Sequence, residues 1–389
     1  MTRLRIVRLD SVAEIRGAAA AWDDLWWRSD VAWPIARAEL VAQWIEQFAP
    51  QSPLLCLAVE DQGQWVAALP LVCTPRWRVL KSGTLPGNEW SPSGDLLLDP
   101  DADAEVVLDV LLGRLRKSPW PLLWFDGIPV ASPRWRAFLA AVARAGLANE
   151  CRTHWQVPLI EIDHDWEACQ RRWPKQHRSK MVKAQRCLAK QGDVQCVALA
   201  QVEPSQVEPL LRRAFEVEDR SWKGDAGSSV LRTPGMFEFF VRQAAQLAAW
   251  GQLDLSFLEL DGRAIAFVYG FGAKGVFCWH KIGYDPEFRC ASPGQLLQYH
   301  VLERSHRDPE RTAVDCMGPL TDALSRWRPN VYPLGRLVVA PRAWSGRVAL
   351  YGYKHFWPRL ARLLGRRKAE APVPESVAVS EDAAVVAGR

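Results

Sequence analysis

The stretch that most constrains this chain is residues 275–302, GVFCWHKIGYDPEFRCASPGQLLQYHVL. Gly275 to Asp285 reads as a strand, with Val, Phe, Cys, Trp and Ile set among polar residues as on a half-buried pleated segment. A loop and a Ser292-Pro293-Gly294 turn follow, and then a helix from about Gln295. Ser292 is placed to act as N-cap and Pro293 fits the first helical position, while Leu296, Leu297 and Val301 give the helix an apolar face. A strand feeding such a turn leaves the first N–H groups of the helix without helical partners, an arrangement that favours an anion such as a pyrophosphate. Tyr284 and Asp285 fall just before the turn, where a strand end presents side chains to a bound ligand.

The flanking chain alternates strand and helix patterns. Residues 4–9 read as a strand, 12–29 and 36–48 as helices, and 54–60 with 64–74 as a hairpin turned at Asp61-Gln62-Gly63. Further strands are expected over 77–80, 95–98 and 122–125, helices over 104–117 and 133–145, and an extended run over 154–162. Residues 163–192 form a separate segment, in which Arg171 to Lys190 holds eight lysines and arginines plus His177. Pro174 can start a helix there and Gly192 can end it. This helix is either an anion-gripping face or a solvated crossing helix. After it come a strand (194–200), helices (204–222 and 234–250), a three-strand meander leading into the opening stretch, strands at 312–317 and 335–340, and a helix over 343–364. The expectation is an α/β protein of two lobes, each a mixed, mostly antiparallel sheet flanked by helices: 1–162, 163–345, a basic helix over 346–367 and a disordered tail over 368–389.

Composition narrows the function classes. A net charge of +5 implies no general field for DNA. The nine cysteines are scattered without a C-x-x-C pair, as in a reducing compartment. No apolar run is long enough to cross a membrane and residues 1–16 lack the apolar core of a signal peptide, so a cytoplasmic location is expected. No metal is expected, because the seven histidines form no ligand-spaced pair. Gly270, Gly272 and Gly275 lie in a strand and hairpin, not between a strand and a helix, and no G-K-[ST] loop or G-x-S-x-G elbow occurs. The twenty tryptophans suit core packing, with a minority free to line a groove.

Several short pieces, in order, resemble a known family: Glu218 with Ser221-Trp222-Lys223-Gly224 and Gly227-Ser228; Leu260-Asp261-Gly262-Arg263-Ala264-Ile265-Ala266-Phe267; Lys281-Ile282-Gly283-Tyr284-Asp285; Ser292-Pro293-Gly294-Gln295-Leu296-Leu297; and Asp315-Cys316-Met317-Gly318-Pro319 with Trp327. Residues of about 170–330 resemble the acetyltransferase domain of the GNAT superfamily, in its BioF2-like or CelD-like branch, related to the FemAB peptidyltransferases. The first half, with Asp61, Gly63, Val66 and the strand Ala68 to Val72, resembles the first lobe of the same architecture. Leu324 departs from the pattern, since relatives often carry a lysine three residues before the tryptophan.

The resemblance implies acyl transfer from acyl-CoA, most simply acetyl-CoA, to an amine or hydroxyl on a small molecule or saccharide, by direct attack without a covalent intermediate. It implies a donor site at Ser292, Gly294, Gln295 and Leu296, with Tyr284 as acid for the leaving thiolate. Asp285, Glu218 and Asp315 are candidate bases, and Trp222, Lys223 and His280 candidate substrate contacts. Each has a structural alternative: Tyr284 as strand-end packing, Asp285 as a turn-former before Pro286, Glu218 as an ion-pair partner, Trp222 as an anchor and His280 as a packed strand residue. Two rival functions remain. One is FemAB-like transfer from aminoacyl-tRNA, with the basic helix gripping RNA. The other is a non-catalytic binding module, for which Leu324 speaks.

Overall fold

Between Leu55 and Cys73 nearly every residue is buried, apart from the hairpin turn at 60–64. Strands buried on both faces need helices on both sides of the sheet, and the chain supplies them. The computed structural model describes residues 4–76, 80–341 and 344–356. The expected strand at 77–80 therefore lies outside the described residues except for Leu80. The expected basic helix beyond His355 and the tail from 368 also lie outside, apart from Phe356.

In chain order the first half runs β1 (Arg5–Leu9), α1 (Val12–Gly17), α2 (Ala19–Arg28), α3 (Ala38–Phe48), β2 (Leu54–Asp61), β3 (Gln64–Arg76), β4 (Leu80–Thr84), β5 (Leu97–Leu98), α4 (Ala104–Leu115), β6 (Leu122–Ile128), α5 (Pro133–Arg144) and β7 (Ala148–Glu161). The second half runs α6 (Trp166–Arg172), α7 (Lys175–Ala189), β8 (Val194–Leu199), α8 (Val207–Asp219), α9 (Trp222–Asp225), α10 (Met236–Ala249), β9 (Leu253–Leu260), β10 (Arg263–Ala273), β11 (Val276–Tyr284), α11 (Pro293–Arg307), β12 (Ala313–Asp315), α12 (Asp322–Ser325), β13 (Asn330–Ala340) and α13 (Ser345–His355). The helix expected over 12–29 is broken at Ala18, whose N–H is shared between the carbonyls of Glu14 and Ile15.

The chain folds as two units. Among the described residues, unit 1 gathers 4–31, Ile35–Trp155 and those from Tyr332 to 356, while unit 2 is Gln156–Val331 with Ala32–Pro34. In unit 1, β1, β2, β3 and β4 pair antiparallel in succession, β4 pairs parallel with β6, and β6 pairs antiparallel with β13. Leu108, Leu111, Phe125, Trp135, Phe138 and Leu337 are among the residues that close its core under α4 and α5. Asp95 sits inside this unit at 3% exposure, accepting from Arg134 at 2.6 Å and from the Trp135 indole at 2.8 Å, so a buried carboxylate there is fully partnered.

Unit 2 repeats the plan. β8, β9, β10 and β11 pair antiparallel, β11 pairs parallel with β12, and β12 pairs antiparallel with β7. Both hairpins of the meander turn on an X-Gly pair with positive φ, Asp261-Gly262 at 51° and 79° and Lys274-Gly275 at 52° and 76°, the backbone that tight two-residue turns require. The last strand of each half is exchanged: β7 closes the unit 2 sheet at Leu159–Glu161, and β13 closes the unit 1 sheet. A boundary drawn from composition at 162/163 does not carry this exchange, because it depends on pairing between segments about 200 residues apart.

Candidate functional site

The site is built on β11. Along this strand Tyr269 opposes Lys281 while Gly270 opposes Trp279, so His280 is an extra residue, a bulge facing β10. Gly270 permits it: a Cβ there would collide with the Cys278 carbonyl and lie 2.6 Å from the Phe277 ring. A bulge bends its strand and re-aims side chains, and bulges collect beside active sites. Here the His280 ring lies 5.9 Å from Phe240, 5.8 Å from Tyr269 and 5.3 Å from Phe271, and Lys281 lies 5.1 Å over the same Phe240 ring. Both side chains thus reach one face, while Trp279 joins the opposite core with Leu296, Leu297 and Trp327.

The bulge coincides with a parting of strands. The parallel pairing of β11 with β12 covers only Val276–Cys278 against Ala313–Asp315. Beyond Asp315 the chain stays with the β7 side: the Cys316 N–H donates to Pro158 O at 3.0 Å and the Leu320 N–H to Gln156 O at 2.8 Å. From Trp279 onward, β11 runs on without that neighbour, because β12 itself ends at Asp315 and the chain after it follows β7.

At the far end of β11 the helix start departs from expectation. Pro293 is the first helical residue, as expected, but Ser292 does not cap the helix with its side chain. Its backbone sits at φ 46° and ψ 55°, in the left-handed region. A side-chain cap requires extended backbone at that position. The short helical turn Pro286–Ala291 runs directly into α11 and sets this conformation at the junction. The whole first turn is buried. Leu296 belongs to the apolar core, Gly294 lies under the Tyr284 ring (an added Cβ would be 3.5 Å from it), and Gln295 is 5% exposed. The Gln295 amide nitrogen reaches Gln298 at 3.5 Å, but its Oε1 has no donor among the described residues. A buried acceptor without a donor is uncommon and marks a place where a ligand donor fits.

Two expected bases are held in ion pairs. Asp285 is 3% exposed; its Oδ2 accepts from Arg220 Nε at 2.7 Å and Arg263 Nη2 at 2.6 Å, and its Oδ1 accepts from the Glu287 N–H at 3.1 Å. Burial alone would raise its pKa, but these hydrogen bonds and charges together hold it below the usual carboxylate range. It is a turn-former and ion-pair hub, poorly suited to accept a proton. Glu218, at 2% exposure, accepts from Lys223 Nζ at 2.8 Å and from the Val230 N–H at 3.0 Å. Burial again pushes its pKa up, and the charges of Lys223 and Lys281 with both hydrogen bonds bring the net shift below the usual value. Lys223 is spent on this pair and Trp222 stands outside it, 46% exposed.

Asp315 is elsewhere. It lies opposite Cys278, six residues before Tyr284 on β11, and so roughly 20 Å away along the strand. Its Oδ1 accepts from the Met317 N–H at 2.7 Å. Burial first and this carboxylate second raise the Cys278 and Cys316 thiols well above the ordinary value, so neither is a nucleophile. All nine cysteines are free. The expected residues thus fall into three groups: Glu218, Lys223 and His280 around Phe240; Tyr284, Asp285 and Ser292 to Leu296 at the helix start; and Asp315 at the strand fork. Sequence reasoning passed over Lys281, which is 4% exposed beside Glu218. A lysine inside an otherwise apolar strand was the signal. Leu324 fills core space beside Trp327. Among the described residues, no group of side chains could hold a metal, and no helix is long and apolar enough to cross a membrane.

A strand meander, a bulged strand that parts from its parallel neighbour and a helix starting at that end define an acyltransferase-type fold. Residues 175–323, from the first residue of α7 into α12, match the family model described as an acetyltransferase (GNAT) domain. The chain has a GNAT-superfamily, FemAB-related fold. Among solved structures, FemX matches with a TM-score of 0.58 at 10% identity, over 86% of this chain and 96% of that one. The C-terminal DUF2156 domain of a candidate lysylphosphatidylglycerol synthetase from Agrobacterium fabrum matches at 0.52 and 14% identity, over 88% and 95%. A conserved protein of unknown function from Bacteroides thetaiotaomicron matches at 0.52 and 12% identity, over 87% and 100%. At such identities these likenesses speak for the fold. Comparison with curated proteins gives no match.

Proposed function

We propose that unit 2 transfers an acyl group from a thioester donor, acyl-CoA and first of all acetyl-CoA, to an amine or hydroxyl of a small molecule, amino sugar or envelope-polysaccharide precursor. The observation that carries this reading is the parting of β11 from β12 after Cys278, with the His280 bulge at the fork. A strand that has lost its parallel neighbour there is suited to a slender acyl-pantetheine arm, and bulged backbone to polarising its carbonyl. The open acceptor Gln295 Oε1 supports the same reading, because the pantetheine arm carries amide N–H donors.

In the reaction the acceptor nitrogen or oxygen attacks the thioester carbon. The new C–N or C–O bond forms, the C–S bond breaks, and the thiolate leaves. Tyr284, at the end of β11, is the candidate to protonate that thiolate. The proton lost by the acceptor goes to His280, since Glu218 and Asp285 are committed to ion pairs and Asp315 lies roughly 20 Å along the strand from Tyr284. Thiol release from acetyl-CoA against a panel of amines and amino sugars tests this reading. Acceptor-dependent release that falls in His280→Ala supports it, and no release with any acceptor counts against it.

The second reading, transfer from aminoacyl-tRNA, is favoured by a different observation. On α7 the buried residues His177, Met181, Ala184 and Leu188 define the inner face. Lys175, Arg178, Lys183, Arg186 and Lys190 are exposed on the other side, without a carboxylate partner among the described residues. The buried first turn of α11 also suits a donor that needs no diphosphate cradle there. If tRNA binds through this stripe, affinity falls steeply with salt, and each charge removed flattens the slope by about 0.7–0.9.

A further inference from the structure

Within unit 1, Trp124 on β6 meets Tyr353 on α13 edge to face at 4.9 Å, and three arginines stand over these two rings. The guanidinium carbons of Arg76 and Arg336 lie 4.8 and 4.9 Å from the centre of the Trp124 ring, and that of Arg152 lies 5.0 Å from the centre of the Tyr353 ring. Lys354 is the fourth cation of the cluster. Two carboxylates answer them among the described residues. Asp126 accepts from Arg336 Nε at 3.0 Å and Nη2 at 2.8 Å, while Glu150 is shared between Arg152 Nε at 3.0 Å and Lys354 Nζ at 2.8 Å.

Arg76 is left over. It has no ion-pair partner among the described residues, and its Nε is buried without an acceptor. Burial pulls its pKa below the ordinary arginine value; Asp126 offsets only part of this, and Arg336 adds to it. Stacking on the indole explains where the guanidinium packs but neutralises no charge. Charge withdrawn from water calls for a counter-ion, and here four cations face two carboxylates. The rim is open, with the Asp126 and Arg152 side chains 39% and 37% exposed.

A surplus of two positive charges matches a dianion, and a guanidinium offers paired N–H donors that fit the oxygens of a phosphate. A carboxylate ligand would neutralise only half of the surplus. We propose that the cluster of Arg76, Arg152 and Arg336 in unit 1 binds a phosphate group, free or carried by a small molecule, with Arg76 as its principal ligand. The proposal is independent of the transfer reaction in unit 2.

The test is calorimetric titration of the full-length protein with inorganic phosphate, glycerol 3-phosphate and acetate, with melting curves in each. Saturable binding of phosphate at millimolar concentration or below is expected, with a rise in melting temperature and no response to acetate. Tighter binding of the ester than of the free ion would identify the ligand as a phosphorylated small molecule, and the reverse would identify it as phosphate itself. Arg76→Gln should weaken binding at least about tenfold, the worth of one charge-assisted hydrogen bond, and Arg76→Lys should recover part of the loss because it keeps the charge without the fork. Without ligand, Arg76→Gln should melt close to the wild-type temperature, since it removes a charge that has no internal partner. No binding of either phosphate would overturn the proposal, as would binding that Arg76→Gln leaves unchanged, which would place the phosphate elsewhere. An equal response to acetate would also overturn it, and so would a large fall in the melting temperature of ligand-free Arg76→Gln, the mark of a structural arginine.

Discussion

Lys223 donates to Glu218 at 2.8 Å from five residues further along the chain, across the turn that starts α9, with the carboxylate 2% exposed. Removing one partner of such a pair leaves a buried charge. Lys223→Ala is therefore expected to cost about 3–5 kcal/mol, while Glu218→Gln with Lys223→Met should cost much less. Urea unfolding at pH 7 measures both. The pH sign follows from the depressed pKa of Glu218: its contribution is present above the unfolded-state value and is lost as pH falls through the folded-state value. Glu218→Gln should flatten that acid limb. A single Lys223→Ala variant of wild-type stability would show that the pair contributes nothing.

His177 gives a second, separate pH window. It is 3% exposed, both ring nitrogens lack partners among the described residues, and Trp327 meets it edge-on at 4.4 Å. Burial, with Arg326 and Lys180 nearby, pushes its pKa down to about 4 from 6.5. The unfolded chain then takes up a proton between those values and the folded chain does not. Stability should fall by about 3 kcal/mol as pH drops from 6.5 to 4. His177→Phe should remove that slope while costing little at pH 7, and unfolding curves across the window would show a persisting slope if the idea is wrong.

Gly270 faces the bulge, with the Cys278 carbonyl and the Phe277 ring against its α-carbon. Gly270→Ala should cost about 1–3 kcal/mol by overpacking. It should also disturb His280, so turnover should drop by more than the stability loss explains. Melting curves and thiol-release rates at a temperature where both forms are folded separate the two effects.

Much of this was legible in the sequence because the signals are local. The expected strand 275–285 is β11, the hairpin expected at Asp61-Gln62-Gly63 turns on Gln62-Gly63, and α7 starts after Pro174 and ends before Gly192. The site was less legible. Asp285 and Glu218 look like available carboxylates until Arg220, Arg263 and Lys223 are seen to hold them, and the Arg263 contact spans 22 residues. The bulge at His280 exists only in the register against β10, which no pattern along one strand encodes. Ser292 matched the composition of a cap but not its backbone, because the preceding helical turn already fixes the junction.

Tyr284 packs against Gly294 at the start of α11. If it supplies the proton to the thiolate, Tyr284→Phe should lower kcat by about 10²–10⁴-fold and leave donor affinity unchanged, since the ring contact survives. Equal turnover in the variant would remove Tyr284 from the chemistry, and a loss confined to KM would make it a donor contact.

The most direct test of the acyltransferase account is calorimetric titration of the full-length protein with acetyl-CoA, with free CoA alongside, repeated on Gln295→Leu. The account predicts saturable binding of acetyl-CoA to the wild-type protein. It also predicts affinity about tenfold weaker in the variant, the worth of one hydrogen bond to the buried Oε1, with folding intact because an unpartnered polar atom has been removed. No heat of binding at any accessible concentration, or binding that Gln295→Leu leaves untouched, would contradict a donor site between β11 and α11.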